Sequence, residues 1–97
     1  MRVNVLYMGE VHAVTGKEID VMEVEDGITV RNVLVLLIEK YGVRFKEAIM
    51  DARTSLENPW LKILISLNGR DINALGGLDK VLKNGDSIAF MTMVSGG

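Results

Sequence analysis

Apolar and polar residues alternate from Arg2 to Met8. Val3, Val5 and Tyr7 fall on one side and Arg2, Asn4 and Leu6 on the other, the period of two that belongs to a β-strand. Glu18 to Val24 carries a second strand pattern, which slips phase between Val21 and Met22, where a bulge or a twisted edge is expected. The segment between them holds Gly9 and Gly16 and reads as the turn region of a hairpin. After Glu25-Asp26-Gly27 the period changes to three and four. Val30, Val33, Leu34, Leu37, Ile38 and Tyr41 form one face of an amphipathic helix. Thr29 stands where it can cap the first unpaired amides, and Gly42 where a left-handed residue would close the helix. Val35 and Leu36 lie off the stripe, which predicts cover on a second side or exposed apolar surface.

Phe45 to Arg53 reads as a shorter helix inside a region of mixed signals, from Val43 to Trp60, that contains the single proline, Pro59. Lys62 to Leu67 is rich in Ile and Leu and stops at Asn68-Gly69, a dipeptide favoured in tight hairpins, so it is a third strand. Arg70 to Asn73 makes a short fourth strand, and Leu78 to Leu82 one turn of helix followed by Asn84-Gly85. Ile88 to Val94 is the last strand, nearly continuous in apolar or β-favouring residues, as a strand covered on both faces would be. The order strand, strand, helix, strand, short strand, strand resembles a β-grasp. That is an α+β, ubiquitin-like fold in which a mixed sheet of four to five strands curls around one main helix.

Composition narrows the possibilities. A chain of 97 residues with 48% hydrophobic content suits a single domain spanning residues 1–97. Eleven basic residues against 13 acidic ones leave a net charge of -2, and the lysines and arginines are scattered, which argues against a nucleic-acid partner. The absence of cysteine removes disulfides, thiolate metal sites, iron-sulfur clusters and Cys nucleophiles together. Met1 to Met8 does not make a signal peptide, and the longest nearly apolar stretch, Val33 to Ile38, is too short to cross a membrane. A soluble cytoplasmic protein without membrane partner or cofactor is expected.

No internal active site emerges. His12 lies in the first turn region with no second ligand or base and is expected on the surface. Glu23, Glu25 and Asp26 lack the spacing of a calcium loop. Gly76-Gly77 lacks the lysine and hydroxyl residue of a phosphate loop, and Asp86 and Ser87 have no neighbouring base. Met8, Met22, Met91 and Met93 fall on proposed strands, where methionine fills gaps. The chain ends instead in Ser95-Gly96-Gly97, expected to be a short flexible arm carrying the carboxylate. Two terminal glycines arise by chance in about 0.5% of chains. Glycine can thread a narrow channel that a side chain would block. A carboxylate is a poor electrophile and needs activation, typically as an acyl adenylate made with ATP, which makes the chain a substrate and not a catalyst.

Several motifs in order carry a resemblance over nearly the whole chain. They are Met1-x-Val3-x-Val5-x-Tyr7, Asp26-Gly27-Ile28-Thr29-Val30, Leu67-Asn68-Gly69-Arg70, Leu82-Lys83-Asn84-Gly85-Asp86-x-Ile88 and the final Gly96-Gly97. Together they resemble the small subunit of molybdopterin synthase and its relatives, the ubiquitin-like sulfur carriers and archaeal small modifiers. The resemblance implies that Gly97 is adenylated by a ubiquitin-activating-type enzyme with ATP and converted to a thiocarboxylate, whose sulfur passes to a pterin precursor inside the molybdopterin synthase large subunit. The chain is then at most that enzyme's non-catalytic small subunit.

The resemblance also implies a partner-binding segment of Met91, Met93, Val94, Ser95 and Gly96. Val94 matches a tail position in the partner's channel, and Met91 a position where the family often has an exposed aromatic. Thr92-Met93 replaces two prolines usual in bacterial members, the frequent Arg-Glu pair is missing around Val11-His12, and Ser55 to Trp60 looks like an added loop. The alternatives are a modifier conjugated to target-protein lysines, a sulfur carrier for tRNA thiolation or thiamine, and an unactivated β-grasp interaction domain.

Overall fold

The computed structural model describes residues 1–92. Its elements are β1 (Arg2–Tyr7), α1 (Glu10–Thr15), β2 (Ile19–Glu23), α2 (Val30–Tyr41), α3 (Val43–Ile49), β3 (Ile63–Leu67), β4 (Arg70–Asp71) and β5 (Ser87–Thr92), with 3-10 turns at Ile72–Leu75 and Gly77–Asp79. One five-stranded sheet runs in the order β2-β1-β5-β3-β4. Its central pair, β1 and β5, is parallel, and every other pair is antiparallel. This is the mixed β-grasp sheet expected from the element order.

The strand and helix periods explain the core. Val3, Val5 and Tyr7 of β1, Ile63 and Ile65 of β3, and Ile88 and Phe90 of β5 are buried, as are Val30, Val33, Leu34 and Leu37 of α2. The cap on α2 is reciprocal: the Asn32 amide donates to Thr29 Oγ1 at 3.2 Å, and the Thr29 amide donates to Asn32 Oδ1 at 3.1 Å. Asn68 and Gly69 take φ of 50° and 83°, the positive values required of the two-residue turn that closes β3 onto β4.

Several expectations need correction. The first turn region contains a helix, α1, whose single turn and a half is too short for its period to be legible; it seats the buried Val11. β2 has no bulge, because its register against β1 is continuous from Arg2↔Glu23 to Leu6↔Ile19. The apparent slip arises because polar Asp20 faces inward while apolar Val21 faces out. The second helix begins and ends earlier than expected, since Gly42, at φ 85° and ψ −165°, ends α2 and starts α3 at once, outside the left-handed region of an ordinary helix cap. β4 is only two residues long, and Ile72–Leu75 coils instead. The next helical turn is Gly77–Asp79, three residues and not the five from Leu78 to Leu82. β5 is covered on one face only, because every helix packs on the same side; Ser87, Ala89 and Met91 on its other face are half-buried by neighbouring strands.

Asp20, only 8% exposed, is the one buried carboxylate among the described residues. It accepts from the Tyr7 hydroxyl at 2.8 Å, from the Tyr41 hydroxyl, and from Lys17 Nζ and Lys40 Nζ at 3.2 and 3.4 Å. Burial alone would raise its pKa, but the bonds from Tyr41, Tyr7 and Lys17 and the charge of Lys40 outweigh burial and hold it at about 2. Burial and the Asp20 hydrogen bond push the Tyr7 phenol up, so it stays a donor. Tyr7 and Tyr41 also join Phe45 and Phe90 in an aromatic cluster with ring centroids 5.8 to 6.3 Å apart.

Two outcomes follow from this packing. Phe90→Ala is expected to destabilise the fold by about 3–5 kcal/mol, read as a lower urea midpoint, because the sheet and α3 cannot close the void. The Asp20 pKa is lower in the folded chain than in the unfolded one, so its contribution, about 2 kcal/mol, is fully present above the unfolded value. Stability should fall as the pH drops from about 4 through about 2. Denaturation midpoints against pH should show that fall in the native chain and a flattened curve in Asp20→Asn.

Candidate functional site

β5 delivers the chain to its C-terminal segment, so the surroundings of that strand's end define the site. Thr92 pairs with Ile63 and Met91 with Leu64 on one side, and the Met8 amide donates to the Phe90 carbonyl at 3.1 Å on the other. β5 is therefore held by both neighbours as far as Phe90 and by β3 alone at Met91 and Thr92.

With all helices on the opposite side, the outer face of the sheet carries only strand side chains. Its register aligns Ile19, Leu6, Ala89 and Ser66 across four strands, with Met91 and Leu64 adjacent at the tail end. Ile19 is 51% exposed, Val21 59% and Leu64 39%, while Leu6, Ala89 and Met91 are half-buried. An apolar strip that leads to the end of β5 and that no other layer of the described residues covers is the kind of surface that marks a candidate contact site. The strip includes the half-buried Met91. Met93, Val94, Ser95, Gly96 and Gly97 lie outside the described residues.

Leu6, Ile19, Val21 and Leu64 were not identified from sequence as contact residues. Their signal was present: Leu6 sits on the polar side of β1, and Val21 is out of phase in β2. Gly9, whose turn touches Thr92, gave no signal beyond being a glycine.

The remaining polar residues considered from sequence make the following contacts. His12 is exposed on α1, and its carbonyl accepts the Gly16 amide that closes the helix. Glu23 pairs with Arg2 on the surface. Asp86 accepts from Asn68 Nδ2 and from the Lys83 amide, and Ser87 donates its amide to Asn68 Oδ1, all at 2.7 to 2.9 Å, which ties the β5 entry to the Asn68-Gly69 turn. Gly76 and Gly77 bound two 3-10 turns at φ 101° and 79°. Among the described residues, no group of three or more His, Asp or Glu side chains could hold a metal, and no helix is long and apolar enough to cross a membrane.

The added loop is a closed excursion. The Asp51 amide donates to the Trp60 carbonyl and the Lys62 amide to the Ile49 carbonyl, at 2.9 and 2.8 Å. Arg31 of α2 pins the loop through the Leu56 carbonyl at 2.8 Å and also pairs with Asp79. A surface groove of about 800 Å³ runs between Glu23–Ile28 and Val35 and Leu36 of α2. It explains why those two apolar residues lie off the helix stripe. It sits beside Arg2, at the opposite end of the sheet from Thr92, and so takes no part in the tail site.

With this geometry established, comparison with known families matches residues 5–97 to the ThiS family. The chain belongs to the ThiS family. It thereby joins the ubiquitin-like sulfur carriers and small modifiers that its motifs resemble, a family of small carrier proteins. No curated protein sequence matches it. Among solved structures, small archaeal modifier protein 1 of Methanosarcina acetivorans is 30% identical, with a TM-score of 0.77 over 99% of this chain and 96% of that one. The Haloferax volcanii protein of the same name superposes with a TM-score of 0.80 at 18% identity over 100% of both chains. A putative molybdopterin converting factor subunit 1 of Pyrococcus furiosus gives 0.72 at 23% identity, covering 96% of this chain and 98% of its own. The last two show the fold alone.

Proposed function

We propose that this chain is a carrier whose Gly97 carboxylate is adenylated by a ubiquitin-activating-type enzyme and converted to a thiocarboxylate, with the apolar outer face of the sheet docking the enzymes that act on it. The observation that carries this reading is the strip of Ile19, Leu6, Ala89, Met91 and Leu64, which leads to the end of β5 and which no second layer of the described residues covers. A partner seated there lies beside the tail root. Activation replaces a poor leaving group by AMP, sulfide equivalents from a sulfur donor then displace AMP, and the resulting thiocarboxylate gives up its sulfur more readily than a carboxylate gives up oxygen. The folded body supplies recognition, and the glycines supply a backbone narrow enough for a channel.

For the acceptor, we favour the pterin precursor of molybdopterin, bound in a large synthase subunit. Support comes from the motif order, from the extended middle at 43–60 and from the fold shared with the Pyrococcus furiosus protein. Conjugation to target lysines is the second reading, favoured by the 30% identity to the Methanosarcina acetivorans modifier.

Coexpression with an activating enzyme, followed by intact mass measurement, should show one terminal oxygen replaced by sulfur, and no such species after deletion of Gly97. An unmodified chain in the presence of active enzyme and ATP overturns both readings. Conversion of precursor by the thiocarboxylated chain with a large subunit supports the molybdopterin branch, whereas protein conjugates lost on deletion of Gly97 support the modifier. Met91→Lys puts a charge into the strip at a half-buried surface position. It should weaken binding to the activating enzyme at least tenfold, as for loss of a central interface contact, while leaving the urea midpoint within the small range of surface substitutions.

A further inference from the structure

Gly9, two residues past β1 and at the N-cap of α1, takes φ 63° and ψ −135°, a backbone region that residues with side chains rarely enter. A Cβ placed there would lie 1.7 Å from Thr92 Oγ1 and 3.0 Å from Thr92 Cβ. By contrast, Gly16, Gly27, Gly42, Gly69, Gly76, Gly77 and Gly85 all have positive φ and nothing within 4 Å of such a Cβ. Among the described glycines, conformation alone accounts for those seven, while Gly9 is also required by a neighbour. That neighbour, Thr92, is the last described residue of β5 and precedes the C-terminal segment.

The topology explains the contact. β1 and β5 run parallel, and the Met8 amide still bonds to Phe90, after which β1 turns away at Gly9. β5 continues for two residues with only β3 as ladder partner, Thr92 opposite Ile63. The Thr92 side chain stands where a side chain on residue 9 would be, so the turn leading into α1 becomes a second support for the strand end. We infer that Gly9 is a positioning residue for the tail: by admitting Thr92 against the β1–α1 turn, it holds the root of the C-terminal segment in one place for presentation to the activating enzyme. This inference rests on the reading that Gly97 is the activated group. Its physical basis is entropic. A root residue already ordered in the free chain need not be ordered on binding, so the support lowers KM and leaves kcat, set at Gly97, unaffected.

The test is steady-state adenylation, followed by ATP–pyrophosphate exchange with the purified activating enzyme, for the full-length chain and its variants. Thr92→Gly removes the side chain that rests on Gly9. It should raise KM about fivefold to thirtyfold, the factor for ordering one backbone residue, with kcat unchanged. Thr92→Val, which keeps the bulk, should bring KM back toward the native value. Gly9→Ala should raise KM and also lower the melting temperature. Adding Thr92→Gly to it should recover part of that stability, because the clash is gone, while KM stays high. Gly16→Ala, at φ 72° with open space around it, controls for backbone strain and should leave KM unchanged. If the native chain is not adenylated, the reading of Gly97 falls and this inference with it. If the native chain is adenylated but Thr92→Gly has the same KM, or Thr92→Val is as impaired as Thr92→Gly, the inference alone is overturned.

Discussion

The parallel pairing of β1 with β5 is the constraint on which the rest of the structure depends. Two parallel neighbours cannot be joined by a hairpin, so nearly the whole chain must cross from one to the other. That crossing carries α2, α3 and the Asp51–Trp60 loop over one side of the sheet. The N-terminal and C-terminal strands become the sheet's centre, and the hairpins at either end, β1 to β2 and β3 to β4, become its edges. β5 consequently lies mid-sheet, paired on both sides as far as Phe90 and with β3 to its end at Thr92.

Burial on one side follows directly. The helices and the aromatic cluster of Tyr7, Tyr41, Phe45 and Phe90 take all the inward-facing positions, and the outward ones meet no second layer. Leu6, Ile19, Val21, Ala89, Met91 and Leu64 are thus apolar side chains on a face that no other element of the described residues covers. Their position beside the tail root, and not their number, gives them a functional reading. Members of this family are small carrier proteins, and in the proposed reading this surface does what an active site does elsewhere, which is to place one reacting atom in the correct partner.

Asp20 shows how a polar residue can be part of a core. Its carboxylate is bonded by two tyrosine hydroxyls, one from β1 and one from α2, with Lys17 and Lys40 at the mouth of the site. The network fastens the edge strand β2 to the helix that crosses the sheet. It also explains the misread phase of β2. An inward Asp20 and an outward Val21 look like a bulge when polarity stands for direction, although the ladder is regular.

Much of the fold was legible in the sequence because it is written in local periods. The alternation in β1, the three-and-four spacing of α2, the Thr29 cap and the Asn68-Gly69 turn each depend on residues close to one another in the chain. The terminal glycines and the ordered motifs likewise pointed to the family without coordinates. The sequence alone could not reveal α1, which is too short to show a period, or the inward direction of Asp20, whose partners are 13 and 21 residues away. The parallel register was equally hidden, and with it the meeting of Gly9 and Thr92. Such contacts join distant segments, and hydrophobic patterning constrains which face a residue takes but not which strand lies beside it. What the sequence determined was the set of elements and the family; only the tertiary structure decided which segments meet at the end of β5, because that depends on the pairing of strands far apart in the chain.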